Sequence, residues 1–318
     1  MRISALVRLS RPFTLLAPAL GMVSGGLAAA GCDGTLRLDA RTVANIALGA
    51  LMAALLNVAS NAVNQIYDLE VDRINKPERP LPAGAMTVRE AGVVTATAYA
   101  AALGVAALVN WTLLAIVALT ALLTYAYSGP PFRTKRHWAL ANVTIATPRG
   151  FLLPLAGWVC VRGGADFAGT ALPRDAWILA AASGLFVLGA ASTKDFADIP
   201  GDRAGGCITL PIRFGVPAAA RAVAPFLAVP WLLLAACVPL GWLAGNAAVL
   251  FWGSVVCAVL GARAAWLLVR DPAALTTTST HPAWVLMYLL MLLSQAVAAA
   301  GYALPRDLLR GLAPGTSA

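Results

Sequence analysis

Residues 43–73 read VANIALGALMAALLNVASNAVNQIYDLEVDR, an apolar run that becomes polar and then acidic toward its C-terminal end. The part over 43–66 is long enough to cross a bilayer, since a spanning helix needs roughly 20 mostly apolar residues. With about 3.6 residues per helical turn, five polar side chains of this stretch fall on one arc of about 80°. They are Asn57, Asn61, Asn64, Asp68 and Asp72. The stretch predicts a membrane helix whose polar stripe faces the inside of a helical bundle.

The composition of the whole chain is that of a protein in a bilayer. The 318 residues are 60% hydrophobic and 12% charged, with a mean hydropathy of +0.77, whereas soluble domains carry about 25% charged residues. This composition excludes a water-soluble globular domain and predicts an all-α, polytopic membrane bundle. Nine spans are predicted, at 13–31, 43–66, 88–108, 110–128, 139–161, 176–197, 219–241, 245–268 and 283–303.

The Lys and Arg residues lie mostly in alternate loops, on the same side as the N-terminus. Cytoplasmic loops of membrane proteins carry such an excess, so we expect the N-terminus and the long charged loops in the cytoplasm. The membrane is the cytoplasmic membrane if the source is bacterial. The net charge of +9 reflects this bias, and no nucleic-acid-binding motif accompanies it. We therefore expect contact with the lipid bilayer and no nucleic-acid partner.

Most of the 14 acidic residues lie in two segments, after the second and the sixth predicted span. In the first segment Asp68 and Asp72 are one helical turn apart, where carboxylates repel unless a cation lies between them. Together with Asn64 they offer hard oxygen ligands at i, i+4 and i+8, which suit Mg²⁺. For Asn57 and Asn61 a second interpretation stands equally, in which they hold neighbouring helices together.

The second acidic segment, residues 194–203, reads KDFADIPGDR and repeats the Asp-x-x-x-Asp-Arg pattern of the first. Pro200 and Gly201 disfavour a regular helix, so we expect Asp198 and Asp202 at a helix end that opens into a loop. Two related half-bundles facing one another would bring both acidic segments into one site. The alternative is a solvated, charged loop.

Basic residues accompany both acidic segments. Carboxylates with bound metal ions, surrounded by Lys and Arg, form a site for a polyanion such as a diphosphate, whose oxygens Arg can engage bidentately. The basic residues expected around this site are Arg73, Lys76, Arg79, Lys135, Arg136, Lys194 and Arg203.

Four stretches resemble signatures of the UbiA superfamily of intramembrane prenyltransferases. The first signature corresponds to residues 64–84, NQIYDLEVDRINKPERPLPAG, and the second to residues 194–215, KDFADIPGDRAGGCITLPIRFG. Residues 127–136, YSGPPFRTKR, resemble the stretch after the fourth span, and residues 10–14, SRPFT, the start of the first helix. The stretches occur in the family's order, and the number of predicted spans agrees.

The resemblance implies one membrane-embedded domain over residues 1–318, with nine helices around a central cavity and motif-bearing cytoplasmic loops at 67–87, 129–138 and 194–218. It implies two Mg²⁺ ions that bridge the diphosphate. One would be held by Asn64, Asp68 and Asp72, and the other by Asp198 and Asp202. The diphosphate would be bound by Lys135 and Arg136, assisted by Arg11, Arg73, Lys194 and Arg203.

The implied activity is Mg²⁺-dependent transfer of a prenyl group from a prenyl diphosphate to a small acceptor, with release of diphosphate. Mg²⁺ and fixed cations would neutralise the leaving group, and an apolar cavity would keep water from the allylic cation. Asp195 is the candidate base for the acceptor's proton, alongside the four metal-binding aspartates. The residues expected to line the substrate cavity are Asn61, Tyr67, Tyr127 and Arg149; the last lies inside a predicted span and is costly against lipid.

The acceptor remains open. We expect a phenol that resembles homogentisate or 4-hydroxybenzoate, and the alternatives are a chlorophyll-type pigment or prenylglycerol phosphate. A terpene cyclase of the same superfamily would use the metal motifs without an external acceptor. A membrane transporter is the alternative from another class, but its charged site would lie near the midplane of the membrane. No obligate protein partner is expected.

Overall fold

The computed structural model describes residues 2–163, 172–277 and 281–314. Within these ranges the regular structure is helical, and nine helical segments are long and apolar enough to cross a bilayer. The predicted all-α fold and the predicted number of spans are thereby confirmed. The protein is an integral, multi-pass membrane protein.

The spans are accompanied by shorter helices along the chain. The helices are α1 (Ile3–Ser10), α2 (Phe13–Gly31), α3 (Ala40–Tyr67), α4 (Leu69–Asn75), α5 (Val88–Val109), α6 (Trp111–Ser128), α7 (Trp138–Ala146), α8 (Leu153–Arg162), α9 (Arg174–Ala190), α10 (Ile199–Ala204), α11 (Leu210–Phe214), α12 (Val216–Val223), α13 (Pro225–Cys237), α14 (Ala247–Arg270) and α15 (Pro282–Ala303).

Three of the nine spans are composite. The fifth, Trp138–Arg162, consists of α7, a π-helical turn at Thr147–Leu152 and α8. The sixth continues α9 through a 3₁₀ turn at Ala191–Phe196, and the seventh joins α12 to α13. Single π-helical turns inside α-helices often occur at functional sites, and the fifth span carries Arg149 in this turn.

The spans form a closed ring. Along the chain α2 packs on α3, α3 on α5 and α5 on α6; in the second half α9 packs on α13, α13 on α14 and α14 on α15. The last span, α15, returns to α2, while α8 contacts α2, α3 and α9. This arrangement leaves a cavity in the middle of the bundle.

Hydrogen bonds connect the first and the last span where the ring closes. Ser24 Oγ donates to the carbonyl oxygen of Gln295 (2.7 Å), and Gln295 Nε2 donates to that of Ala17 (3.1 Å). Tyr288 Oη donates to the carbonyl oxygen of Phe13 at 3.1 Å. Polar groups at membrane depth need partners inside the protein, so these bonds stabilise the α2–α15 contact.

The crossing of α2 and α8 depends on two glycines. An added Cβ at Gly157 would lie 2.8 Å from the Cα of Gly25, and one at Gly25 would lie 2.7 Å from the carbonyl oxygen of Pro154. Small residues allow close approach of membrane helices, whose association relies on van der Waals packing. The Gly25–Gly157 contact therefore sets the distance between these two spans.

Replacement of Gly157 by Ala should destabilise the bundle, because the new methyl group meets backbone atoms that cannot move aside. We expect a loss of roughly 1–3 kcal/mol in the free energy of unfolding, measured as a lower melting temperature in detergent. Gly104→Ala is the matched control, since a Cβ there meets no atom within 4 Å. An equal effect of both substitutions would contradict the packing argument.

Candidate active site

The first acidic motif lies where α3 gives way to α4. Asp68 interrupts the helix for one residue (φ −102°, ψ 11°). Backbone hydrogen bonds from Asp68 N to Asn64 O (2.9 Å) and from Asp72 N to Asp68 O (2.7 Å) continue across this junction. The polar stripe is thus carried by two consecutive helices instead of one. Asn64 Nδ2 donates to Asp68 Oδ2 at 2.7 Å, so these two side chains are in contact.

Two asparagines of the stripe hold the N-terminal segment. Asn57 donates to the carbonyl oxygen of Thr14, and Asn61 to that of Ser10, each at 2.9 Å. The turn between these acceptors contains Arg11, whose backbone is left-handed (φ 53°) and whose side chain lines the cavity. Asn61 itself is absent from the described cavity lining, and its contacts are those of a residue that holds helices together.

The second acidic motif follows α9. The 3₁₀ turn at its end contains Asp195, which is buried, and Asp198 directly precedes α10. Pro200 lies in the first turn of α10, where its missing N–H removes no helical hydrogen bond. The segment after Asp198 is therefore a short helix that carries Asp202, where an open loop was expected. Asp198 and Asp202 follow Asp195 by three and seven residues in this segment.

One side chain joins the two motifs. Asn75, the last residue of α4, donates from Nδ2 to the carbonyl oxygen of Asp198, and its Oδ1 accepts from Gly201 N, both at 2.9 Å. A Cβ at position 201 would lie 2.5 Å from Asn75 Nδ2, so only glycine allows this approach. The two acidic motifs therefore face one another across a contact between α4 and α10. Sequence reasoning missed Asn75 because it followed charges, although the residue lies within the first signature.

Three motif carboxylates are ion-paired with basic side chains. Arg133 adds a longer contact, with Nη2 3.7 Å from Asp68 and 2.8 Å from the carbonyl oxygen of Tyr67. Buried carboxylates need such partners, because an uncompensated charge away from water is costly. The pairs are Asp72 with Arg79 (2.6 Å), Asp198 with Lys76 (2.6 Å) and Asp68 with Lys135.

Burial shifts the protonation equilibria of the site. Among the residues that the structure describes, no Lys or Arg lies within ion-pair distance of Asp202, and burial raises the pKa of this carboxyl to about 6. Burial likewise raises the pKa of Asp72, against the opposing effect of Arg79, and lowers that of Lys135 to about 8. Desolvation disfavours the charged form in each case. A bound divalent cation and a polyanion would together favour the charged forms of these side chains.

The acidic side chains suit Mg²⁺ only together with a substrate. In the described part of the chain no three Asp, Glu, His or Cys side chains converge closely enough to hold a metal ion by themselves. Mg²⁺, however, usually takes one or two carboxylates and completes its shell with water and substrate phosphates. The pairs Asp68–Asp72 and Asp198–Asp202 provide this number of ligands. The donor set fits Mg²⁺ that is bound jointly with a phosphorylated molecule.

The basic residues around the site differ in part from those expected. Arg73 donates to Glu70 at 2.8 Å, and 58% of its side chain is exposed, so it points away from the motif carboxylates. Arg136 and Arg203 are exposed, and neither pairs with a carboxylate among the described residues. Lys76 and Arg79, which were expected at the site, do lie next to the aspartates, and Arg133, which was not, joins them. Which basic residue of a loop faces inward depends on the loop's conformation, which charge spacing does not specify.

A cavity of about 900 Å³ lies inside the ring. Two of its basic lining residues are Arg11 and Lys194, and burial together with the positive charges of Arg79 and Arg149 lowers the pKa of Arg11 to about 10. The polar lining residue Asn57 lies with them, whereas most of the wall is apolar. The apolar wall includes Met22, Met52, Leu56, Leu153, Trp284 and Leu289.

Arg149 enters the cavity from the π-helical turn of the fifth span. Its side chain is exposed to the cavity, and no carboxylate of the described residues pairs with it. Lys194 Nζ lies 3.0 Å from Tyr127 Oη and 5.3 Å from the centre of that ring. Tyr67 instead shares a hydrogen bond of 3.2 Å with the hydroxyl of Tyr125. Neither Tyr67 nor Tyr127 belongs to the described cavity lining.

The fold and the site define an integral membrane protein whose apolar cavity ends at paired carboxylates and cations. The model of the UbiA prenyltransferase family matches residues 15–290. A digeranylgeranylglyceryl phosphate synthase of Methanoculleus marisnigri is 35% identical over 217 residues, which cover 68% of this chain and 70% of that protein. A homogentisate phytyltransferase of Synechocystis sp. is 31% identical over 214 residues, covering 67% and 69%.

Solved structures share the same fold. A UbiA homologue from Archaeoglobus fulgidus bound to GPP and Mg²⁺ superimposes with a TM-score of 0.72 at 20% identity, covering 94% of this chain and 100% of that one. The chain therefore belongs to the UbiA prenyltransferase family, as the signatures indicated, and is a membrane prenyltransferase.

Replacement of Gly201 by Ala should impair catalysis while leaving the bundle folded. The added methyl group would push α10, with Asp202, away from α4 and Asn75, so we expect at least a tenfold lower rate of diphosphate release, because small misplacements of site residues are costly. The assay is diphosphate release from a prenyl diphosphate, with circular dichroism to confirm helix content. Gly92→Ala, where a Cβ meets nothing within 4 Å, is the control. An unchanged rate in Gly201→Ala would show that the contact is dispensable.

Proposed function

We propose that this protein transfers a prenyl group from a polyprenyl (allylic) diphosphate to an acidic aromatic acceptor in an Mg²⁺-dependent reaction that releases diphosphate. One observation supports this most strongly: two acidic motifs are fastened face to face by Asn75 beside an apolar cavity. The charged motifs suit the diphosphate, and the apolar cavity suits the prenyl chain. The solved UbiA homologue from Archaeoglobus fulgidus, which is bound to GPP and Mg²⁺, agrees with such a donor.

The motif carboxylates would hold two Mg²⁺ ions, one at Asn64, Asp68 and Asp72 and the other at Asp198 and Asp202. Mg²⁺ bound there would neutralise the charge that grows on the diphosphate as the allylic C–O bond breaks.

The basic side chains of the site bind and orient the diphosphate. Lys135, Lys76 and Arg79 already contact the carboxylates, so they lie within reach of phosphate oxygens held by the same carboxylates. Arg11 and Lys194 extend this set into the cavity. Fixed donors of this kind stabilise charge that develops on a leaving group without reorganisation.

The cavity protects the allylic cation. Its mainly apolar wall excludes water, which would otherwise capture the cation. The ring of Tyr127 lies behind this wall and faces the positive charge of Lys194, whose Nζ is 5.3 Å from the ring centre. Asp195 is the candidate base that removes the acceptor's proton after the new bond forms, because it is buried and belongs to the same acidic segment as Asp198 and Asp202.

Arg149 supports an acceptor with an acid group. Its guanidinium faces the cavity without a carboxylate partner among the described residues, and an unpaired cation away from water is costly. The carboxylate of a phenolic acid, such as homogentisate or 4-hydroxybenzoate, would provide that partner in a bidentate pair. The homogentisate phytyltransferase among the relatives agrees with such an acceptor.

A prenylglycerol phosphate is the second candidate acceptor. Relatives at 35% and 33% identity are digeranylgeranylglyceryl phosphate synthases, and a phosphate would pair with Arg149 as well as a carboxylate does.

We further propose that the N-terminus and the motif loops lie in the cytoplasm, in accordance with the distribution of Lys and Arg.

Neutralising a motif carboxylate should abolish the metal-dependent reaction. We expect Asp72→Asn and Asp198→Asn to reduce diphosphate release at least a hundredfold, because each removes a charged ligand of the Mg²⁺ that would stabilise the leaving diphosphate. The rate is measured against Mg²⁺ concentration with a C10 to C20 donor and a phenolic acid. Glu70→Gln is the matched control, since Glu70 lies in the same helix but is paired outward with Arg73. Normal turnover of either Asp variant would overturn the proposal.

Arg149→Gln should discriminate between acceptors. For an acceptor with a carboxylate or phosphate we expect the KM to rise at least tenfold, while the KM for the prenyl diphosphate stays within twofold, because a charge-assisted pair is lost only on the acceptor. Product mass spectrometry with phenolic acids, matched phenols without the acid group, and prenylglycerol phosphate identifies the acceptor. If the variant affects the donor alone, Arg149 binds the diphosphate and the proposed acceptor contact is wrong.

A further inference from the structure

Two arginines share one tryptophan on the outer surface of α14. The guanidinium carbons of Arg263 and Arg270 lie 4.3 Å and 4.8 Å from the centre of the Trp266 ring. The three residues are spaced i, i+3 and i+7, so they lie on one face of the helix. Trp266 is 45% exposed, and both arginines are exposed. We name Arg263, Trp266 and Arg270 the α14 cluster.

The α14 cluster lies at the same end of the bundle as the acidic motifs. Successive spans alternate in direction, so α14 ends, at Arg270, on the side where α3 ends at Tyr67. Arg263 lies seven residues before that end, which is about 10 Å deeper along the helix. An arginine at this depth that faces lipid is costly unless its charge is compensated.

The described part of the protein offers the cluster no paired counter-charge. Among the residues described by the structure, neither Arg263 nor Arg270 pairs with a carboxylate. Asp271, the acidic residue next along the chain, uses Oδ1 to accept a hydrogen bond from Ala274 N at 3.2 Å. Two positive charges on one indole repel one another, so an external anion between them would lower the energy of the arrangement.

An apolar track continues the cluster toward the middle of the membrane. On the same face of α14 lie Val259 (63% exposed), Val256 (49%) and Trp252 (52%). This stripe therefore combines a cationic head, an aromatic residue at the level of the membrane interface, and an apolar surface below it. Tryptophan is enriched at that interface, and an acyl chain attached to a headgroup phosphate would lie along the valines.

We propose that the α14 cluster binds the phosphate of an anionic phospholipid, whose acyl chain packs on the Val259–Val256 track. The two guanidiniums take the phosphate oxygens, and the indole holds both arginines in place. This lipid site lies on the outer face of the ring, separate from the cavity.

The test uses the full-length protein in a mild detergent. Native mass spectrometry counts bound lipids, and the delipidated protein is then titrated with phosphatidylglycerol and with phosphatidylcholine. We expect at least tenfold tighter binding of phosphatidylglycerol, and a loss of about tenfold or more of that affinity in the Arg263→Gln, Arg270→Gln double variant. Trp266→Leu should lose part of the affinity. Arg89→Gln, which changes an exposed arginine at the start of α5, should bind as the unmodified protein does.

Several outcomes would overturn the lipid site. Equal affinity for both lipids, or an equal loss in Arg89→Gln, would show only a general attraction of basic surface. Displacement of the lipid by millimolar inorganic phosphate would assign the cluster to a soluble anion. The melting temperature of each variant is measured in parallel; if the double variant fails to fold, the single Arg270→Gln variant, changed at the helix end, replaces it in the comparison.

Discussion

The contact of the Asn75 side chain with the backbone of the second motif is the interaction on which the polar end of the molecule depends. Two acidic segments carry like charge and would separate if nothing held them. The carboxamide satisfies one carbonyl and one N–H of the opposite helix, and it does so without charge. Ion pairs to Arg79, Lys76 and Lys135 then compensate the carboxylates that this contact brings together.

Much of the fold could be predicted because the length of each apolar run can be read directly from the sequence. All nine predicted spans were found, and backbone hydrogen bonds continue through the junction at Asp68 within the predicted stripe. The site was harder to predict, because charge patterns show where acidic and basic residues occur but the loop conformation decides which of them are in contact. Arg73 therefore turned outward while Arg79 turned inward, and an uncharged residue made the decisive contact.

The basic residues divide into two groups according to their surroundings. Lys76, Arg79 and Lys135 are paired with motif carboxylates. Arg11 and Arg149 face the cavity without an acidic partner among the described residues. The left-handed turn that presents Arg11 is itself held by Asn57 and Asn61. Polar residues of the stripe thus have two roles. The aspartates form part of the acidic site, and the two asparagines position Arg11. The pattern concentrates unmatched positive charge where a negatively charged molecule would enter the bundle.

The closed ring has a consequence for how the protein is made. The α2 helix, near the N-terminus, packs against α15, near the C-terminus, and Gln295 supplies a hydrogen bond between them. Chains fold from the N-terminus during synthesis, so α2 enters the membrane before its neighbour α15 has been synthesised. Until then the hydroxyl of Ser24, which donates to Gln295 in the folded bundle, needs another acceptor. Completion of the cavity therefore requires the insertion of α15.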